Sequence, residues 1–282
     1  MKKKIILILF VLPTFLFSQN NFSSKYDNLP EGLKNVFYED ALISLNTSLD
    51  VLKSPYYFDK DDMIMTGVIL AMTSASFSLD NRVRNQISRN HNVTMDNLTV
   101  VGKQFGHPVY GGLLSIALYT TGFFTADNYT KITGQMLAEA LIVNGIYTTV
   151  LKSVFGRARP YTHDGFSDFD IFMFEFDADE NSFPSGHTST AFTVATVLSE
   201  RINNVYASVA LYSLASLTAY QRIYSDVHWL SDTLIGAALG TFIGLKIVKL
   251  HENSLHEKSS YSLNIYPKVT PTNYEVGFSL QF

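Results

Sequence analysis

Residues 152–160 read KSVFGRARP, residues 184–187 read PSGH, and residues 222–232 read RIYSDVHWLSD. These three stretches, separated by apolar segments, decide how the chain is read. They hold the cations Lys152, Arg159 and Arg222, the histidines His187 and His228, and the carboxylate Asp232 four residues beyond His228. Ser185 and Gly186 make a turn between them. That inventory suits gripping a tetrahedral oxyanion and attacking it, and phosphate is the first anion to consider.

Lys152 and Arg159 are seven residues apart, so a continuous helix would stack them on one face. Pro160 stops such a helix, because it lacks an N–H and restrains the residue before it. Both cations are then expected near a helix C-terminus. Arg157 falls off that face and is expected outside the site. An arginine fork grips two phosphate oxygens, while lysine acts as a point charge. Ser185 is expected to N-cap a helix whose free backbone N–H groups face the anion, with Gly186 allowing close approach. His187 in the first turn can hand a proton to a leaving oxygen. His228 and Asp232 at i and i+4 are expected on one helix face, the carboxylate fixing the tautomer and leaving the other ring nitrogen free. Ser225 or Asp226 is the expected cap of that helix, and Arg222 the end of the element before it. Taken singly, each cluster also has a structural reading: a helix-end charge, a cap, a surface pair.

Jointly the three resemble the signature of the type 2 phosphatidic-acid phosphatase and vanadium haloperoxidase superfamily: Lys-x6-Arg-Pro, Pro-Ser-Gly-His, Ser-Arg-x5-His-x3-Asp. Lys152, Arg159 and Pro160 fit the first part, Pro184 to His187 the second, and Arg222, His228 and Asp232 the third. Gln221 stands where the family usually has Ser, which puts in question how Arg222 is held. The resemblance implies an all-α helix bundle of about six core helices. It implies phosphate binding by Lys152, Arg159, Arg222, Ser185 and Gly186, and His228 as nucleophile through a phosphohistidine. Asp232 would orient His228, and His187 would protonate the leaving group and then activate water. It implies no metal and no other cofactor, because three cations meet the charge.

The implied reaction is hydrolysis of a lipid phosphomonoester or diphosphate. Candidate substrates are phosphatidic acid, phosphatidylglycerol phosphate, undecaprenyl diphosphate and lipid A phosphates. A broad-specificity soluble acid phosphatase and a vanadium-dependent haloperoxidase are the competing readings, and a non-catalytic phosphate- or lipid-binding envelope protein is a fourth.

The N-terminus, three lysines before the apolar run 5–17, reads as a secretory signal peptide over residues 1–18. Without it the chain carries 18 basic and 25 acidic residues, which argues against a nucleic-acid footprint. No cysteine is present, so neither a lipoprotein anchor nor a disulfide framework is expected. Export to a bacterial periplasm or envelope follows. Residues 19–60 read as a polar, partly amphipathic segment, 61–250 as the helical domain, and 251–282 as a tail. The alternation Tyr274, Val276, Phe278, Leu280, Phe282 in that tail, after a turn at 270–273, reads as a β-hairpin.

Apolar segments at 63–79, 109–125, 132–150, 188–198, 205–220 and 233–248 are mostly somewhat shorter than the ~20 residues a bilayer span needs. Membrane association is expected, with a water-soluble bundle as the alternative. Gln135, Glu139 and Asn144 require the 132–150 helix to face protein or water. The acidic, Phe-rich loop 161–181 is read either as a receptor for acyl or isoprenoid chains or as a solvated loop with an aromatic anchor. His91, His107, His163, His251 and His256 are expected to be surface histidines or bystanders.

Overall fold

The computed structural model describes the backbone over residues 31–172, 179–260, 262–269 and 274–281, and side chains over 37–172 and 179–252. The signal-peptide reading of 1–18, Phe174, Glu175, Phe176 and Asp177 of the acidic loop, the 270–273 turn and the His256 side chain lie outside the described residues. The chain is all-α in its described core. Its helices are α1 (Glu31–Lys53), α2 (Lys60–Phe77), α3 (Asp80–Ile87), α4 (Val93–Phe105), α5 (Pro108–Phe124), α6 (Asn128–Phe155), α7 (Gly186–Ile202), α8 (Val205–Tyr224) and α9 (Leu230–Ser260). Helices α1, α3 and α4 add to the six apolar ones expected.

Local chemistry sets the helix ends. Asp59, Asn92, Asp127 and Asn204 each accept a backbone N–H from the first turn of the helix they precede. Gly156 ends α6 in the left-handed region at φ 47°, its N–H donating to the Lys152 carbonyl. This corrects the expectation of one helix from Lys152 to Arg159. The helix stops at Phe155, five residues before Pro160, and Arg157 to Arg159 leave it as extended chain.

Helix α7 is the hub. Val194 and Val197 join Met136, Leu137, Ala140 and Val143 of α6 and Ile243 and Ile247 of α9 in one buried core. Helices α7 and α9 approach unusually closely, because Gly236, Gly240 and Gly244 of α9 face Ser185, Ser189, Thr193 and Thr196 of α7. A Cβ on Gly240 would lie 2.2 Å from the Ser189 carbonyl oxygen, and one on Gly236 2.7 Å from that of Ser185. A glycine every four residues lets two backbones touch. This seam joins the helix that carries His187 to the one that carries Asp232.

The polar residues of α6 face inward. Gln135 donates to the Asp40 carbonyl and Ser44 Oγ of α1, Asn144 accepts from Ser189, and Glu139 meets His251 Nε2 at 2.8 Å. His251 is therefore buried in the bundle, 4% exposed, and not on the surface as expected. Asn128–Phe155 and Leu230–Glu252 are long and apolar enough to cross a membrane, and α2 with α3, bent by 64°, makes a third if taken as one span. Large apolar side chains are exposed along the outer faces, among them Met65, Leu70, Leu113, Ile116, Ile142 and Val209.

Candidate active site

The three motif stretches converge at one end of the bundle. Lys152, in the last turn of α6, donates Nζ to the Asn181 carbonyl. Its Cε is the nearest atom to a Cβ built on Gly186, at 3.9 Å, so the first two motifs touch. Arg159 sits beyond the helix, its backbone N–H held by the Asp179 carbonyl at 2.8 Å. Its side-chain Nε is buried with no hydrogen-bond partner among the described residues. A buried guanidinium donor without a partner fits an anion acceptor.

Ser185 occupies the N-cap position of α7 but makes no side-chain cap bond. Its Oγ lies 2.9 Å from Thr188 Oγ1, and its N–H donates to the Asp232 carbonyl at 3.0 Å. The Gly186–His187 end of the helix is thus tied to α9. His187 stands in the first turn of α7. Burial presses its pKa down to about 3, and the charges of Arg222, His228, His107 and Arg159 add to that. A phosphate among those cations would reverse much of this penalty and return the ring toward a proton-donating range.

Arg222 lies in the last turn of α8, 8% exposed. Its Nε donates to Gln221 Oε1 at 2.6 Å, and Gln221 Nε2 donates to Ser225 Oγ at 2.6 Å. Gln221 therefore anchors Arg222 directly, which answers the question its presence raised. His228 lies two residues before α9, and Asp232 lies in the first turn of that helix. They do not share a helix face as expected; a turn brings His228 Nδ1 to 3.5 Å from Asp232 Oδ2. Nε2 is left as the ring nitrogen available for chemistry. Burial lowers the His228 pKa to about 4, although Asp232 pulls it up, so the ring is neutral at pH 7.

Asp232 is fully buried and held from several sides. Its Oδ2 accepts Ser182 Oγ at 2.5 Å and the Trp229 N–H at 2.9 Å, while Oδ1 accepts Arg157 Nη1. The residue at the start of α9 that receives a backbone N–H is thus Asp232. Ser225 closes α8, and Asp226 pairs with Arg84. The expected cap by Ser225 or Asp226 is corrected accordingly.

Residues 135–255 match the family model of the PAP2 superfamily. That match covers 121 of the 282 residues and includes all three motif stretches. A lipid A 4'-phosphatase of Porphyromonas gingivalis is 29% identical over 120 residues, 43% of this chain and 51% of that protein. A lipid A 1-phosphatase of the same organism is 38% identical over 120 residues, 41% of this chain and 24% of that protein. A lipid A 1-phosphatase of Rhizobium etli is 29% identical over 123 residues, 42% and 50% of the two chains. The matches span about half the length of these relatives or less. Among solved structures, the transmembrane PAP2-type phosphatidylglycerolphosphate phosphatase of Bacillus subtilis shares the fold, with a TM-score of 0.53 at 20% identity over 68% of this chain and 96% of that one. Aquifex aeolicus LpxE aligns over 61% of this chain and 95% of its own, at 27% identity and a TM-score of 0.48.

The site also contains contacts that the motifs did not reveal. Arg157 was expected outside the site, yet it is wholly buried behind it. It donates to Asp232, to Ser231 Oγ at 2.7 Å and to Asp80 Oδ2 at 2.7 Å, and lies over the rings of Phe77, Phe169 and Trp229. Its residue type was legible, but its direction depended on Gly156 ending the helix. Phe169 of the acidic loop serves here as an aromatic anchor, its ring tilted against Phe77 and lying under the Arg157 guanidinium. His107 is also no bystander. It caps α5 and lies edge-on to His187, with centroids 5.6 Å apart. Its position follows from Gly106, where a Cβ would fall 2.7 Å from the His187 carbonyl oxygen.

Proposed function

We propose that this chain is a phosphatase that hydrolyses a lipid phosphomonoester through a phosphohistidine on His228. The observation that carries this reading is the meeting of Lys152, Arg159, Arg222, His187 and His228 around the N-terminus of α7, with a buried Arg159 donor that has no partner among the described residues. The cations and the Gly186 N–H bind the phosphate. His228 Nε2 attacks phosphorus while His187 protonates the departing oxygen. His187 then takes a proton from water as that water attacks the phosphohistidine. Asp232 holds Nδ1–H and stabilises the imidazolium. Preorganised cations supply the electrostatic stabilisation.

Among lipid phosphates, those of lipid A are preferred here, because relatives matching the motif region carry that activity in their names. The exposed apolar faces and the spans in α6 and α9 support catalysis at a membrane surface. Residues 1–18 are proposed as a cleaved export signal, which places residues 61–250 in the bacterial envelope facing the periplasm. N-terminal sequencing of the membrane-fraction protein should find Gln19 first, and an intact Met1 would refute cleavage. Helix α9 runs on to Ser260, past the expected start of the tail at 251, and the residues after it are proposed as a hairpin that packs on the bundle or a partner. A chain ending at Ser260 should then melt at a lower temperature or lose an associated protein, and neither change would remove that reading.

The test is phosphate release from detergent-dispersed lipid A and phosphatidic acid, in EDTA, by wild type and His228→Ala. Release by wild type, falling to below about 1% in the variant, is expected. Equal release by both would remove His228 as nucleophile. Release only from small soluble esters would replace the lipid reading with a soluble acid phosphatase.

A further inference from the structure

Helix α3 lies outside the matched family region, yet it holds both flanks of the His228 turn. It has eight residues, and Asp80 and Arg84 are one helical turn apart on it. Arg84 makes a two-pronged pair with Asp226, two residues before His228: Nε to Oδ1 at 2.7 Å and Nη2 to Oδ2 at 2.6 Å. Asp80 takes the Ser231 N–H at 2.9 Å and Ser231 Oγ at 2.6 Å, three residues after His228. The same Asp80 carboxylate holds Arg157, which in turn holds Asp232. Both guanidinium groups also lie over the ring of Trp229, the residue after His228, each 5.4 Å from its centroid.

Asp226 has a backbone conformation that explains why the turn needs a clamp. Its φ is 57°, a left-handed geometry that aspartate tolerates better than most residues but does not favour. The following N–H, of Val227, donates to the Arg222 carbonyl at 3.2 Å. The turn therefore sets the His228 position relative to both Arg222 and Asp232. A local conformation that is only weakly preferred persists when surrounding contacts determine it.

We propose that α3 is a positioning clamp for the nucleophile turn, with Arg84 and Asp226 as its outer jaw and Asp80, through Ser231 and Arg157, as its inner jaw. These are positioning residues that act through His228. The inference rests on the phosphatase reading for its kinetic consequences, and on geometry alone for the placement of the ring.

The outer jaw is the one to test, because its side chains are partly exposed, at 18% and 28%. Arg84→Met keeps an aliphatic stem against Trp229. Asp226→Asn keeps a residue that accepts positive φ. Each variant should lower kcat roughly 10- to 100-fold, since displacements near 1 Å cost that much, while KM stays within about threefold. The double variant should be no worse than the poorer single one, as expected for partners in one contact. Arg84→Lys should recover about tenfold over Arg84→Met, because it keeps the charge but not the fork.

A second readout needs no turnover. Vanadate accepts a fifth ligand from an imidazole nitrogen, whereas inorganic phosphate is held by the cations alone. In both single variants vanadate should bind about tenfold more weakly, with phosphate affinity unchanged and the number of binding sites intact. A role limited to fold stability would lower the number of sites and leave the vanadate affinity alone. Variants with wild-type kcat and vanadate affinity, or losses that multiply in the double variant, would overturn the clamp. A silent wild type that still shows the vanadate effect would sink the phosphatase reading and leave the clamp standing.

Discussion

Replacing Gly240 with alanine inserts one methyl group into the α7–α9 seam. The new Cβ would lie 2.2 Å from the Ser189 carbonyl oxygen, 2.9 Å from the Thr193 nitrogen and 3.0 Å from the Ser189 carbonyl carbon. All three are backbone atoms, so no side chain can rotate away. Ordinary contact begins near 3.4 Å, and the helices must part by about 1 Å. Overpacking of this kind costs roughly 1–3 kcal/mol. The catalytic cost should be larger in proportion. Ser185 and His187 ride on α7 and Asp232 on α9, with the Ser185 N–H bonded to the Asp232 carbonyl across the same seam. A shift near 1 Å there should lower kcat by about 10²-fold. The assay is phosphate release by wild type and Gly240→Ala, each with a thermal melt in the same detergent. Gly112→Ala is the control, because a Cβ there meets nothing within 4 Å. That control should keep its activity and gain up to about 1 kcal/mol from helix propensity. If Gly240→Ala retains kcat within about twofold of wild type, the argument that the seam sets the site's dimensions is refuted.

Three more outcomes follow from the same geometry. Because burial holds His228 near 4 and His187 near 3 when folded, the unfolded chain takes up their protons first as the pH falls. The stability they confer is complete above about 6.5 and lost on descent toward 4, so the melting temperature should drop between pH 7 and 5, and less so in His228→Asn. Arg157→Met would strand Asp80 and Asp232 in a fully buried site and should cost about 3–5 kcal/mol in a chemical-denaturation experiment. An unchanged midpoint would show that the two carboxylates find other partners. Gln221→Ala removes the acceptor of Arg222 Nε, and should raise KM about tenfold with a smaller effect on kcat. The reverse pattern would mean that Arg222 acts mainly in the transition state.

Much of the site was legible in the sequence, because its residue types at fixed spacings are themselves the chemistry. Three cations, two histidines and a carboxylate around a Ser-Gly turn can be read without coordinates. So can the six apolar helices, whose patterning is local. What the sequence could not supply were contacts that depend on how elements meet. Asp80 and Arg84 lie about 150 residues from the turn they hold, on a short polar helix whose two apolar residues, Val83 and Ile87, are too few to mark it. Arg157 looked like a misplaced cation until Gly156 ended α6 and turned it inward. His107 and His251 carry no local sign of burial, yet one lies against His187 and the other inside the bundle. The sequence by itself determined the all-α class and the inventory of the candidate site, because periodicity and residue chemistry act over a few residues. Only the tertiary structure decided which charges hold Asp232, how closely α7 and α9 approach, and what grips the His228 turn, because desolvation and close packing belong to whole elements brought together.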